Sequence, residues 1–155
     1  MKINIIVISG KIGSGKTTLA KQIEKELGFE KRSFSESLRD VCSIIYGFDK
    51  EKSRTMEGKN TILKDFNDKT IGQSLQEMGT YLRILDENIW MKSLFMKFDS
   101  SCFWVIDDLR FENEMKFLKR KGAFCVRLNG DPKSQRQKNK RKINHVSEVN
   151  LDHCK

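Results

Sequence analysis

Short apolar runs alternate along this chain with stretches whose apolar residues recur every three or four positions, a pattern that predicts strands alternating with helices. Ile3-Asn4-Ile5-Ile6-Val7-Ile8 has the β-branched composition of a buried strand. Leu19, Ile23 and Leu27 then mark one face of a helix that Gly28 ends. Glu30 to Ser35 reads as a link with a brief second strand around Arg32-Ser33-Phe34, and Ser35 as the N-cap of a helix carrying Leu38, Val41, Cys42 and Ile45. Gly47 to Lys69 is polar, with Gly58, Asn60, Asn67 and Asp68 as turn-formers, and is expected to be a long mobile excursion. Ile71, Leu75, Met78 and Leu82 predict another amphipathic helix, with Gln73, Gln76 and Arg83 on its polar side. Asp86-Glu87-Asn88 opens a further helix with Trp90, Leu94, Phe95 and Phe98. Two more apolar runs, Phe103–Ile106 and Ala123–Leu128, flank a helix marked by Phe111, Met115 and Leu118 and closed by Gly122.

This alternation predicts an α/β fold: three layers, α/β/α, around a short, mainly parallel sheet with ligands at the carboxyl ends of its strands. Gly10, Asp108 and Asn129 all fall at such ends. At 155 residues the chain suits one compact domain over 1–155. It has no apolar run of membrane-spanning length, and Met1-Lys2 leads into a strand rather than a signal peptide. Cys42, Cys102, Cys125 and Cys154 are scattered without metal or disulfide spacing, which predicts free thiols in a reducing, cytoplasmic compartment, or host cytoplasm for a viral source. The formal net charge of +9 suits polyanionic partners, with nucleotides and nucleic acid both eligible.

Chemistry enters between the first strand and the first helix. Gly10-Lys11-Ile12-Gly13-Ser14-Gly15-Lys16-Thr17 matches the phosphate-loop pattern G-x-x-x-x-G-K-[ST], and Thr18 follows. The glycines let the backbone turn tightly and aim N–H groups inward, and the helix start directs its positive dipole end at phosphate. Lys16 would reach the β- and γ-phosphates of ATP, and the Thr17 hydroxyl would ligate Mg²⁺. The bland alternative is a glycine-rich turn that binds nothing. Asp107 and Asp108 end an apolar strand, where P-loop enzymes place a carboxylate near Mg²⁺ or its water shell. A solvated acidic strand end is the competing reading. Arg39 and Trp90 have bland readings as well, a solvated arginine and a core indole. Lys133 to Lys142 carries six cations, among them Arg136 and Arg141, without an acidic residue. It could be a nucleic-acid arm, a solvated helix face or a lid over phosphates, and its place after a strand favours the lid. His145 and His153 are too isolated to suggest a metal site.

With these residues in view, the chain resembles the phage and viral deoxynucleoside monophosphate kinases. The likeness rests on the Gly10–Thr17 loop, on Asp108-Leu109-Arg110-Phe111-Glu112-Asn113-Glu114 as the family's D-x-R-F-x-N-E stretch, and on Ser147-Glu148 with Leu151-Asp152 as its S-E-x-x-L-D segment. The resemblance implies a P-loop kinase with a helical acceptor-binding region over about 34–98 and a basic lid over about 130–145. It implies transfer of the γ-phosphoryl of ATP, with Mg²⁺, to a deoxynucleoside monophosphate. On that reading Gly10, Lys11, Gly13, Ser14, Gly15, Lys16, Thr17 and Thr18 hold ATP, and Thr17 with Asp108 organises the metal. Lys11, Arg39, Trp90 and Arg110 serve the acceptor, Arg136 and Arg141 are lid cations, and Glu148 anchors the segment beyond. Lys16, Asp108, Arg110, Arg136 and Arg141 form the implied catalytic set. Two departures stand out: Arg39 where the family commonly has lysine, and an end at Lys155 where relatives usually continue into a strand and helix. A homodimer is one way to cover the sheet edge this would leave. The competing expectations are a phosphomevalonate-kinase-like enzyme, a nucleic-acid-dependent P-loop ATPase and an inert nucleotide-binding module.

Overall fold

The computed structural model describes residues 3–11, 13–99 and 101–129. Its chain forms two compact units, the second spanning Phe34–Lys97 and the first built from the residues on either side of it.

The first unit is an α/β sheet structure. Strands β1 (Ile5–Gly10), β2 (Glu30–Arg32), β5 (Trp104–Ile106) and β6 (Phe124–Leu128) lie in the order β2-β5-β1-β6. Every pairing among them is parallel: Val7 sits beside Ile106, Arg32 beside Ile106 on the other side, and Gly10 beside Leu128. Strands β3 (Ile62–Leu63) and β4 (Lys69–Thr70) belong to the second unit. Side chains alternate across a strand, so one sheet face presents Ile6, Ile8 and Val105 to helix α1 (Lys16–Leu27), which packs Leu19, Ala20 and Ile23 against them together with Phe29 and Phe103. The opposite face is equally dry, with Ile5, Val7, Trp104 and Ile106 at 1% exposure or less. Both faces are therefore covered, as the β-branched runs predict. Phe98 closes on Trp104 edge-to-face at 4.9 Å, and the Arg32 guanidinium lies 5.4 Å from the same indole. Helix α6 (Glu112–Arg120) precedes β6 and buries Leu118 completely.

The second unit is mainly helical, with α2 (Glu36–Tyr46), α3 (Met56–Lys59), α4 (Ile71–Leu85) and α5 (Ile89–Phe95). A small hairpin joins β3 (Ile62–Leu63) to β4 (Lys69–Thr70). Cys42, Leu63, Ile71 and Leu75 form its core, with Leu38, Tyr46, Phe48 and Met78 around them. Thr70 starts α4 with a reciprocal cap: its Oγ1 accepts from Gln73 N at 3.1 Å, and its N–H donates to Gln73 Oε1 at 2.8 Å. Asp86 prepares α5 by accepting from Lys92 Nζ at 2.6 Å and from Asn88 N at 2.9 Å, contacts that hold its carboxyl below the usual range. Gly79 is the meeting point of three helices. Its carbonyl accepts from Trp90 Nε1 at 3.2 Å, and a Cβ there would come within 3.1 Å of Leu38 Cδ2.

Several local expectations need correction. Residues 47–69, expected as a long mobile excursion, hold short regular elements: a 3-10 turn (Lys50–Arg54), α3, the hairpin and a second 3-10 turn (Lys64–Phe66). Asn67 and Asp68 take positive φ in that hairpin, a conformation their short polar side chains tolerate. The second strand lies two residues earlier than expected, at Glu30–Arg32. Leu27, Val41 and Ile45 share helical spacing with buried neighbours yet are 62%, 36% and 49% exposed. Phe98 falls beyond α5, and β6 is half-buried, with Phe124 53% exposed. Among the described residues no helix is long and apolar enough to cross a membrane.

Candidate active site

The order β2-β5-β1-β6 puts β1 at the centre of the sheet, flanked by β5 and β6, so the segments leaving these strands emerge along one carboxyl edge. That edge is where parallel α/β sheets hold ligands.

From β1 emerges the glycine loop. Gly10, Gly13 and Gly15 all have positive φ, at 148°, 80° and 91°. Gly10 is also confined by its surroundings: a Cβ would lie 2.6 Å from Ser14 Oγ and 2.7 Å from the Leu128 carbonyl. Only glycine meets both demands. Ser14 N donates to the Lys11 carbonyl at 3.1 Å, closing the turn. Lys16 Nζ folds over it and donates to the Gly10 and Lys11 carbonyls at 2.6 and 2.8 Å. Gly15 occupies the N-cap of α1 in the left-handed conformation, no side chain caps the helix, and its first turn holds no acidic residue. The positive end of the helix thus meets neither a side-chain cap nor a first-turn carboxylate. Ser14 Oγ is buried without a hydrogen-bond partner among the described residues, as a hydroxyl set aside for a phosphate oxygen would be. Thr17 and Thr18, on the first turn, are exposed.

From β5 emerges Asp107-Asp108-Leu109-Arg110. Asp107 is 8% exposed, and its Oδ2 lies 3.0 Å from Lys31 Nζ. Asp108 Oδ2 accepts from Ser33 Oγ at 2.7 Å. Leu109 is buried at 2% exposure and anchors the segment. Arg110 is half-buried, and its backbone is fixed by Glu114: Oε2 of that residue accepts from Arg110 N and from Phe111 N, each at 3.1 Å. Glu114 is itself 1% exposed. A carboxylate satisfied by backbone N–H groups at a helix start tolerates such burial.

The structure thus brings Gly10, Lys11, Gly13, Ser14, Gly15, Lys16, Thr17, Thr18, Asp108 and Arg110 to one sheet edge. Arg39 lies half-buried on α2 in the second unit. Trp90, on α5, is 4% exposed with its indole N–H satisfied by Gly79, the arrangement of a packing residue. Arg136, Arg141, Glu148, the lid and the S-E-x-x-L-D segment lie outside the described residues. Sequence reasoning missed Lys31, Ser33 and the buried role of Glu114. A glutamate in the first turn of a helix is a capping signal, but Phe111 at the N-cap has no acceptor to complete the pair, which masks it. Lys31 and Ser33 matter only because β2 neighbours β5, which spacing along the chain does not reveal.

Among the described residues no group of three or more His, Cys, Asp or Glu side chains gathers to hold a metal ion. The donors present, a Thr17 hydroxyl and an Asp108 carboxylate, are hard oxygens suited to Mg²⁺, which keeps several waters and binds through few carboxylates plus phosphate. The residues fit that group.

Fold and edge together define an α/β protein with a glycine loop between its first strand and first helix. No family model matches the chain. It is similar to a protein of Acanthamoeba polyphaga mimivirus described as "Putative deoxynucleotide monophosphate kinase", 32% identical over 142 residues that cover 81% of this chain and 73% of the viral one. The chain belongs to the family of that viral kinase-like protein.

Proposed function

We propose that this protein transfers the γ-phosphoryl group of ATP to a deoxynucleoside 5′-monophosphate. The observation that carries the reading is the adjacency of β1 and β5, which sets the Gly10–Thr17 loop and the Asp108–Arg110 segment side by side at the carboxyl edge of a parallel sheet. Membership in the family of a viral kinase-like protein supports it.

On this reading the loop amides and Lys16 hold the β- and γ-phosphates of ATP. Thr17 and Asp108 would hold Mg²⁺, which when bound offsets phosphate charge. Lys11 and Arg110 meet the acceptor or its phosphate. Arg39, Arg136, Arg141 and Glu148 take their roles from the family resemblance alone. An oxygen of the acceptor phosphate attacks the γ-phosphorus, the bond to the β–γ bridging oxygen breaks, and ADP leaves. Such a transfer asks little covalent work of the protein. Its contribution is to align nucleophile and phosphorus and to surround the transition state with positive charge. Glu114 serves this indirectly, by fixing the backbone that carries Arg110.

The test is product formation from Mg·ATP and a panel of deoxynucleoside and ribonucleoside monophosphates, phosphomevalonate and single-stranded DNA. The expected outcome is a diphosphate from at least one deoxynucleotide, reduced by about 10²–10³-fold or more in Lys16→Ala. ATP hydrolysis that responds only to DNA would sink the reading.

A further inference from the structure

Two adjacent carboxylates leave β5, and β2 holds both of them by different means. The strands run parallel with Arg32 beside Ile106, so the residues that follow each enter the same region. Lys31 Nζ lies 3.0 Å from Asp107 Oδ2, while Ser33 Oγ donates to Asp108 Oδ2 at 2.7 Å. A lysine answers the buried Asp107 charge with a charge of its own, which burial of a carboxylate requires and which competes with any metal ion. A serine hydroxyl orients Asp108 without itself bringing a positive charge to it.

We infer that Ser33 is a positioning residue that sets the Asp108 carboxylate for a divalent cation, and that the two contacts from β2 sort the pair: Asp107 supports the fold and Asp108 serves the metal. This rests on the reading of Asp108 as a metal-holding residue. Hydrogen-bonded partners behind metal ligands orient them and are commonly worth about 10–100-fold in metal affinity. Ser33 acts through Asp108, so its loss is expected to change metal binding without changing how the metal-free nucleotide binds.

The test uses the full chain with a non-hydrolysable ATP analogue and Mn²⁺ as the probe, with bound Mn²⁺ followed by electron paramagnetic resonance, so that the readout does not require turnover. Ser33→Ala and Ser33→Val are expected to weaken Mn²⁺ binding about tenfold. Ser33→Thr, which differs from the Val variant by one hydroxyl in place of a methyl, should restore it. Asp107→Asn should lower the melting temperature and leave Mn²⁺ affinity within about twofold of wild type, because its charge is matched by Lys31. Unchanged Mn²⁺ affinity in the Ala and Val variants overturns the inference, and so does an equal loss in the Thr variant, which would make bulk rather than the hydrogen bond the cause. A loss in Asp107→Asn as large as in Asp108→Asn overturns the sorting. Diphosphate formation by the wild-type protein is measured separately, so failure of the kinase reading and failure of this inference are told apart.

Discussion

In the first unit the core is made by strands whose partners are far away in sequence. Ser9 donates to the Val126 carbonyl across 117 residues, and the central β1 has only β5 and β6 as neighbours among the described residues. The second unit is one continuous stretch held by contacts of shorter span: the Thr70–Gln73 cap, the Asp86 contacts to Asn88 and Lys92, and a core of Cys42, Leu63, Ile71 and Leu75. The first unit keeps both sheet faces dry and carries the charged chemistry on its edge. The second carries little charge in its interior and leaves Ile44, Ile84 and Leu85 at 70% exposure or more. Damage should therefore read out differently in the two, as lost activity at the sheet edge and as lost stability among the helices.

The largest effect is expected in the second unit. Trp90→Ala removes a buried indole and the bond to Gly79, and should cost about 3–5 kcal/mol of unfolding free energy. Trp90→Phe should cost less and leave the acceptor KM unchanged. A raised acceptor KM in Trp90→Phe with an unaltered melting curve would break the comparison, by making Trp90 a substrate contact. Next comes Glu114→Ala at the sheet edge. It leaves Arg110 N and Phe111 N without their acceptor, at about 1–3 kcal/mol, and frees the backbone under Arg110. Steady-state kinetics should show the acceptor KM rising more than the ATP KM, whereas a purely structural glutamate would lower only the melting temperature.

The effect that is smallest near neutral pH is a matter of titration. Burial pushes the Cys42 thiol up from 9.0 to about 11. Between those values the unfolded thiol has lost its proton while the folded one keeps it, so unfolding releases a proton. Stability from this group is full below about pH 9 and falls as pH rises through 11, by about 1.4 kcal/mol per pH unit across the window. Urea unfolding of wild type and Cys42→Ala from pH 8 to 11 checks this. Equal slopes in the two proteins would show that the thiol is not held in the core.

The elements of the first unit were legible because their signals are local. The glycines at 10, 13 and 15 are demanded by backbone conformation, and the runs around Val7 and Val105 are apolar on both faces because both faces are covered. Helical stripes were less informative. Val41 and Ile45 repeat with Cys42 and Leu38, yet only Cys42 is fully buried, since spacing defines a face without saying how wide a partner covers it. The polar stretch from Gly47 to Lys69 folds through single contacts such as Thr55 Oγ1 accepting from Gly58 N, which leave no periodic trace. At the site, Lys16, Thr17 and Asp108 could be named from motif and position. Lys31 and Ser33 could not, because their relevance depends on strand order, a property of the whole sheet.

That strand order has a consequence for how the chain acquires its structure. Neither β1 nor β2 pairs with anything before residue 104 among the described residues; both wait for β5, which lies between them. A chain emerging from the ribosome therefore carries two unpaired strand segments, the apolar β1 and the charged β2, while the whole of Phe34–Lys97, a continuous stretch with its own core, is already available to fold. The arrival of Trp104–Ile106 is the step that joins the early and late parts of the sheet. Until then the glycine loop has a strand before it and a helix after it, but no edge on which to sit.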